Sequence, residues 1–196
     1  MGPLVIAVDP GPVKSAYVMW DGQSILEKGI VENDVLLQSL RTGWPDEWVV
    51  VVEMIASYGM TVGRDVFNTC VWIGRFIQAC RAPWHLVYRM DVKNHLCHSS
   101  KAKASNIRQA LIDRFGPAKG KKCPYCKGKG WTGRGREACS ECDEGWEVKP
   151  GPLAGVVADQ WAALGVAVLW RDTNDNDDNR ENKREEGTGK AKGEGA

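Results

Sequence analysis

Leu4-Val5-Ile6-Ala7-Val8-Asp9-Pro10-Gly11-Pro12 is a continuous apolar run that ends at a carboxylate and a turn. Five consecutive apolar residues followed by Pro and Gly are typical of a buried central strand. Ser15 to Trp20 and Ile25 to Val31 follow it, separated by Asp21-Gly22, and this arrangement predicts an antiparallel hairpin. The N-terminal third of the chain therefore begins a sheet.

The rest of the chain supplies further strands and helices in alternation. Trp48 to Val52 is a second β-branched run, closed by Glu53, and Trp84 to Tyr88 is another strand candidate. Apolar spacing and stop signals predict helices over 35–40, 62–80, 104–115 and 153–170. This order of elements predicts an α/β fold.

Length and composition favour one domain with a small appendage. The chain has 196 residues, of which 43% are hydrophobic and 26% charged, enough for one core. No run of about 18 apolar residues is present, which argues against a membrane span, and the start lacks the features of a secretory signal. We expect a cytoplasmic protein, in which the four of its seven cysteines that form two CxxC pairs would bind a metal and not form disulfides. The other three, Cys70, Cys80 and Cys97, are expected to be small buried hydrophobic residues.

The net charge of +1 hides a strongly basic middle segment. Between Lys93 and Arg136 there are twelve Lys and Arg residues and a single acidic residue, Asp113. The segments on either side are net acidic. Such a concentration of positive charge predicts a polyanionic partner, most simply nucleic acid. A solvated lysine-rich surface is the alternative, but twelve basic residues to one acid exceed the usual mixing of charges on a protein surface.

Three carboxylates stand at or near the ends of predicted core elements. Asp9 and Glu53 each follow a strand, and Asp159 lies in the last predicted helix. Each one alone is more typical of a turn. Carboxylates that converge repel one another unless a divalent cation lies between them, and oxygen ligands favour Mg²⁺ or Mn²⁺. Two such ions can promote hydrolysis of a phosphodiester.

A second group of candidate ligands consists of cysteines. Cys123-Pro-Tyr-Cys126 and Cys139-Ser-Glu-Cys142 are two CxxC pairs separated by twelve residues, which predicts one structural Zn²⁺ ion with a closed tetrahedron of thiolates. The string from Cys123 to Gly130 resembles half of a DnaJ-type zinc module, from which Cys142-Asp-Glu-Gly145 departs. We predict a zinc-ribbon insertion over residues 119–149.

The motifs taken together resemble a known nuclease family. Val5 to Gly11, Val51-Val52-Glu53, Tyr88 to Lys93 and the segment Ala158 to Val168 resemble RuvC-type Holliday junction resolvases, in family order. Trp72 to Phe76 is most similar to phage or prophage members. The resemblance implies an RNase H-like mixed five-stranded sheet flanked by helices, formed by residues 1–118 and 150–171.

The same resemblance implies an activity and its participants. It implies a homodimeric crossover junction endodeoxyribonuclease of a bacterial or phage-infected cell, acting on four-way or other branched DNA in recombination and repair. Asp9, Glu53 and Asp159 would be catalytic and would hold two Mg²⁺ or Mn²⁺ ions. The family usually has a second acidic or histidine residue three positions later on the last helix, where this chain has Ala162. Either the pattern is shifted, or another acid such as Asp65 or Asp91 compensates, or activity is low, or Ala162 is an engineered inactivating substitution.

The DNA-binding residues we predict lie mainly in the basic segment, with two more in a loop after Glu53 that corresponds to a family loop entering the junction. They are Lys93, Lys101, Lys103, Arg108, Lys127, Lys129, Arg134, Arg136, Tyr58 and Met60. Residues 172–196 contain no apolar side chain larger than alanine, so we predict a disordered tail.

Two other classes of function are compatible with parts of the sequence. One is a nucleic-acid-binding protein on an RNase H-like scaffold with little or no catalysis, which Ala162 favours. The other is an actin-like ATPase or sugar kinase, because these also place Asp-x-Gly after a first strand. That class needs further Gly-rich phosphate loops and usually a longer chain, so we discount it.

Overall fold

The computed structural model describes residues 3–43, 48–57, 59, 61–133 and 137–189, with side chains described as far as Asn174. Five strands form one mixed sheet in the order β3-β2-β1-β4-β5. The strands are β1 (Leu4–Asp9), β2 (Lys14–Trp20), β3 (Ile25–Glu32), β4 (Trp48–Met54) and β5 (Trp84–Tyr88). β1, β2 and β3 are antiparallel neighbours, whereas β4 and β5 run parallel to β1.

Five helices accompany the sheet: α1 (Asn33–Thr42), α2 (Arg64–Ala79), α3 (Arg89–Cys97), α4 (Ala104–Phe115) and α5 (Gln160–Gly189). The predicted mixed five-stranded sheet flanked by helices is confirmed. The sequence analysis did not predict α3, because its short stretch lacks a clear apolar face, with only Val92 buried. The last helix begins at Gln160 and not at Leu153, since residues 152–155 form a turn that ends at Gly155 with a φ of 72°.

Alternation along β1 and β4 separates two cores on the two faces of the sheet. Ile6 and Val8 face α1 and α2, which contribute Leu36, Leu37, Leu40, Ile73 and Phe76. Val5 and Ala7 face the other side, where the core is completed by α3, α4 and α5. A strand that is buried on both faces requires a continuous apolar run, and this explains the sequence of β1.

Helix α5 is the central element of the second core. Every residue from Gln160 to Arg171 is buried, because α5 lies across β1 and β2 on one side and contacts α3 and α4 on the other. A helix enclosed on all sides carries no polar stripe, which accounts for the apolar sequence of α5 from Trp161 to Trp170. Among the residues that the structure describes, no helix combines the length and apolar content needed to cross a bilayer.

The end of the buried part of α5 is tied to α3 and α4. Asp172 accepts two hydrogen bonds from the Arg114 guanidinium, at 2.5 and 2.7 Å, and its Oδ2 atom lies 2.6 Å from His95 Nε2. The sequence analysis predicts disorder from residue 172, but the structure continues the helix as far as Gly189. The ion pairs at Asp172 and the helical hydrogen bonds of Thr173 and Asn174 explain how the first residues of the polar tail extend α5.

Two short two-stranded sheets lie within residues 119–149. β6 (Lys121–Lys122) pairs with β9 (Trp146–Val148), and β7 (Trp131–Thr132) pairs with β8 (Glu137–Ala138). Gly120 has no room for a side chain: a Cβ there would lie 2.6 Å from Pro150 and 2.7 Å from the Trp146 ring. Ala118 and Leu153, on either side of this segment, belong to the main core.

The contacts of Asp172 predict a pH-dependent contribution to stability. Removal from solvent raises the pKa of Asp172, but the bonds from Arg114 and His95 outweigh it and hold the pKa below its ordinary value. The stabilisation is therefore present above pH ~4 and is lost as the pH falls further. We expect Asp172→Asn to lower the melting temperature by about 2–4 °C at pH 7, and the difference from the parent protein to shrink in melting curves recorded below pH 4.

Asp113→Asn is the matched control, because this exposed acid of α4 bonds only Gln109 within its own helix. We expect it to change the melting temperature by less than about 1 °C. Equal losses for the two variants would contradict a specific role of Asp172.

Candidate active site and zinc site

The parallel strands of the sheet end side by side and bring two carboxylates together. Val8 pairs with Val52 across β1 and β4, so Asp9 and Glu53 follow at the same edge. Glu53 pairs in turn with Val87 of β5, two residues before Arg89. Arg89 Nη1 donates to both carboxylate oxygens of Glu53, at 3.2 and 3.1 Å. The Glu53 residue is only 6% exposed, so this partner offsets a charge that would be costly to bury alone.

The pKa of Asp9 depends on burial and on the neighbouring charges of Glu53, Arg89 and Asp159. Burial is the main cause that raises the pKa of Asp9 to about 8, and the charge of Glu53 and a hydrogen bond with its carboxyl group add to the effect. Arg89 acts in the opposite direction, and Asp159 adds a smaller rise. A divalent cation between the carboxylates would oppose this shift, so the donor set fits an oxygen-ligated metal ion.

Asp159 reaches the same region from the start of α5. It precedes the helix, and its carbonyl accepts hydrogen bonds from the N–H groups of Ala162 and Ala163. Asp159 and Ala162 line a cavity of about 60 Å³ together with Arg89. The small side chain of Ala162 therefore lies beside Arg89, on the wall where the resemblance implies a further ligand.

The carboxylates are not packed as tightly as the cysteines. Among the described residues, the four cysteines are the only group of three or more potential metal ligands whose ligand atoms all lie within 4.8 Å of one another. Asp9, Glu53 and Asp159 form a looser set. Neither Asp65 nor Asp91 completes a compact group with them.

A buried polar network fixes the turn that follows Asp9. The Ser15 hydroxyl donates to Asn33 Oδ1 at 2.6 Å, and the Asn33 amide donates to the carbonyl of Gly11 at 2.9 Å. A side chain at Gly11 would place Cβ only 2.3 Å from the carbonyl oxygen of Lys14. The network and the glycine hold the chain immediately after the carboxylate. Sequence analysis missed Asn33 and Arg89, since single polar residues at the ends of elements carry no spacing signal.

Part of the predicted DNA-binding set lies on α3, on α4 and in the segment between them. Lys93 is half-buried on α3, Lys101 and Lys103 are exposed before α4, and Arg108 is exposed on α4. The Arg108 guanidinium lies 5.0 Å from the ring centroid of Trp161, which lines the same cavity as Asp159. Tyr58, Met60, Arg134 and Arg136 lie outside the described residues.

The four cysteines have the geometry of a zinc site. Their sulfur atoms all lie within 4.8 Å of one another, with Cys123 and Cys139 at 4.0 Å and Cys126 and Cys142 at 3.6 Å. A tetrahedral zinc ion with Zn–S bonds of about 2.3 Å requires sulfurs about 3.8 Å apart. Removal from solvent raises the pKa of Cys126, yet hydrogen bonds led by that of the Gly130 N–H bring it down to about 6. The cluster could therefore hold Zn²⁺.

Each CxxC turn donates a backbone hydrogen bond to a glycine that follows the other turn. The N–H of Cys123 donates to the carbonyl of Gly145, and the N–H of Cys139 donates to the carbonyl of Gly130. Gly145 has a φ of 94°, and a Cβ there would lie 2.5 Å from the carbonyl oxygen of Gly128. Although the second turn departs from the DnaJ-type spacing, its glycine takes the same structural place as Gly130. The four-cysteine unit is thus a two-fold arrangement around one site.

Comparisons with known proteins support the fold. No family model matches the sequence, and no curated protein is similar to it. The structure of RuvC from Thermus thermophilus is similar with a TM-score of 0.51 at 15% identity, over 85% of this chain and 92% of that chain. A structure of T. thermophilus RuvC in complex with a Holliday junction substrate has a TM-score of 0.48 at 12% identity, over 86% and 92%. The chain has a RuvC-like fold, a mixed five-stranded sheet flanked by helices, as the resemblance implied.

The cysteine geometry predicts one zinc ion per chain, removable by changing its ligands. We expect Cys123→Ser/Cys126→Ser to lose the zinc that the parent protein retains after dialysis, measured by atomic absorption. Without the metal, residues 119–149 lack a core of their own, so we expect this unit to unfold while the main melting transition is kept.

Cys70→Ser is the matched control, because Cys70 lies on α2, away from the cluster. It should retain one zinc ion per chain. Full zinc content in the double variant would contradict the four-cysteine site.

Proposed function

We propose that this protein is a divalent-metal-dependent endonuclease that cuts Holliday junctions or other branched DNA. The observation that carries the proposal is the convergence of Asp9 and Glu53 at adjacent strand ends, with Asp159 close by, in a RuvC-like fold. The strongly basic segment that follows β5 supplies the charge that a DNA substrate requires. Such an activity would serve recombination and repair in a bacterial or phage-infected cell.

The residues of the site have distinct proposed roles. Asp9, Glu53 and Asp159 would hold Mg²⁺ or Mn²⁺ ions, up to two per site. When bound, such ions activate water and stabilise the charge on the leaving oxygen of a phosphodiester. Arg89 orients the Glu53 carboxylate through two hydrogen bonds, and the network of Ser15 and Asn33 holds the chain after Asp9.

The basic residues near this edge would bind the DNA backbone. Lys101, Lys103 and Arg108 are exposed around the start of α4, and Lys93 lies one turn beyond Arg89. Contacts between lysine or arginine and phosphate are independent of sequence and weaken as salt rises. These residues therefore support affinity for DNA in general, while the shape of the branch would select the substrate.

A catalytically weak or inactive nucleic-acid-binding protein is the second candidate. Two observations favour it: Ala162 contributes no ligand beside Asp159, and Arg89 already occupies both oxygens of Glu53. Both candidates share the fold and the basic surface. They differ in whether a synthetic junction is only bound or is also cut in the presence of Mg²⁺ or Mn²⁺.

The proposed mechanism predicts that Asp9 is indispensable for cutting. We expect Asp9→Asn to reduce cleavage of a synthetic four-way junction by at least about 10³-fold, because the amide is a poor ligand for Mg²⁺. Binding of the same junction, measured by gel shift without added metal, should be unchanged or tighter. Cleavage by Asp9→Asn at the parental rate would contradict the mechanism.

Asp34→Asn is the matched control for this experiment, since Asp34 is an exposed acid on α1 that faces Arg75 at 3.7 Å. It should cut at the parental rate. If the parent protein binds the junction but does not cut it with either metal, the second candidate function replaces the first.

We further propose that the protein acts as a homodimer. One side of the molecule exposes large apolar side chains: Phe67 and Val71, one turn apart on α2, are 61% and 63% exposed. Trp84, Leu86 and Tyr88 are also exposed, and their register with Val50, Val52 and Met54 places them on the face of the sheet that α2 covers in part. Apolar patches of this kind mark protein interfaces.

A charge in this patch should prevent association. We expect Phe67→Asp to shift the parent dimer to a monomer in sedimentation velocity, because a buried unpaired carboxylate opposes the interface. Leu26→Asp is the control, as Leu26 is 53% exposed on the opposite edge strand β3 and should leave the dimer intact. A parent protein that sediments as a monomer at micromolar concentration would refute the proposal.

A further inference from the structure

The zinc-binding unit carries a groove that the proposed nuclease site does not use. This ribbon groove has a volume of about 290 Å³ and is lined by Tyr125, Lys127, Lys129 and Trp131, together with Cys126 and residues 132–133. It therefore combines two aromatic rings with two lysines on one surface.

A zinc ion held by the four cysteines would make this groove rigid. Tyr125 lies between two of the cysteines and is 71% exposed, so its backbone is fixed from both sides while its ring faces solvent. Trp131 belongs to β7, which is paired with β8, and the Lys129 ammonium lies 5.2 Å from the centroid of its ring. Tyr125 is therefore the exposed ring, and Trp131 is half-buried beside Lys129. Rings that are held in place in this way bind a flat ligand with little loss of conformational entropy.

Charge is distributed unequally between the two halves of the unit. Three acids that follow the second CxxC pair are matched by other lysines: Lys149 bonds Asp143 and Glu144, and Lys121 bonds Glu147. Glu141, inside that pair, accepts a hydrogen bond from Ser140 instead. Lys127 and Lys129 form no ion pair with any of the described residues. The groove thus keeps its positive charge, and the complementary partner is an anion with flat rings.

We propose that the ribbon groove binds single-stranded nucleic acid, stacking unpaired bases on Tyr125 and Trp131 while Lys127 and Lys129 contact the adjoining phosphates. Stacking platforms beside a basic groove are the physical basis of sequence-tolerant single-strand binding. A base-paired duplex does not present its bases to such a groove, so the occupant is unpaired DNA or RNA. The inference rests on the proposed function for its context, since it adds unpaired nucleotides at a branch to the substrate.

The direct test is the affinity of the zinc-loaded, full-length protein for fluorescein-labelled oligo(dT), followed by anisotropy without added magnesium. We expect Tyr125→Ala to weaken binding about tenfold, while Tyr125→Phe, which keeps the ring, binds like the parent. Lys127→Ala/Lys129→Ala should weaken binding and lower the slope of log affinity against log salt by about 1 to 2. Each variant must retain one zinc ion per chain.

Val148→Ala is the matched control, because this half-exposed residue of β9 lies outside the groove. A measurement on the unaltered protein complements the variants: oligo(dT) carrying 5-iododeoxyuridine should photocrosslink to the peptide that contains Tyr125 or Trp131. Parental affinity in Tyr125→Ala together with crosslinks only elsewhere would overturn the proposal. Loss of self-association with unchanged oligo(dT) affinity would also overturn it and assign the groove to a protein contact.

Separate measurements test the nuclease proposal and the proposal that the ribbon groove binds single strands, so the failure of one can be told from the failure of the other. If the protein cuts junctions but its affinity for oligo(dT) is independent of Tyr125 and the groove lysines, the groove proposal is wrong and the nuclease proposal stands. If oligo(dT) binding depends on the groove but no junction is cut with Mg²⁺ or Mn²⁺, the nuclease proposal fails and the groove proposal stands.

Discussion

The parallel pairing of β1 with β4 is the constraint on which the site depends. It places Asp9 beside Glu53 where both strands end, at a depth where Glu53 is almost fully buried. Two carboxylates in that position are unfavourable through desolvation and mutual repulsion, and the same two causes raise the pKa of Asp9. The fold maintains the pair with compensating contacts, the Arg89 guanidinium on Glu53 and the buried network after Asp9.

Residues 119–149 are stabilised differently from the rest of the chain. Their described side chains give no apolar core apart from the cysteine cluster itself, so a metal ion at the cysteines would take the place of a buried core. As a result, few side chains of residues 119–149 are buried apart from the cysteines. The side chains between the ligands, Tyr125 among them, are free to face solvent in a fixed position. This explains how a lysine-rich loop can present an ordered surface.

Much of the fold was predictable because local signals agreed with tertiary structure. Continuous apolar runs ended by Asp9 and Glu53 gave the central strands, and the CxxC spacing gave the four-cysteine cluster. Other features depended on partners distant in the chain. The role of Arg89 arises from strand register, and the extension of α5 past Arg171 begins with Asp172 meeting Arg114 and His95. Composition alone predicts disorder from residue 172 onward, because it carries no information on ion pairs between helices.

The position of Arg89 also bears on the balance between catalysis and simple binding. Three acids at one edge of the sheet repel a phosphate backbone unless cations intervene, whether metal ions or side chains. The chain supplies such a cation from the first residue of α3, and continues with Lys93 and the exposed basic residues around α4. Because Ala162 adds no further acid to the wall that Arg89 shares with Asp159, the site carries less negative charge than four acids would give. A smaller negative charge weakens the attraction for a second divalent ion. The number of metal ions bound at this edge of the sheet therefore distinguishes a two-metal nuclease from a binding protein.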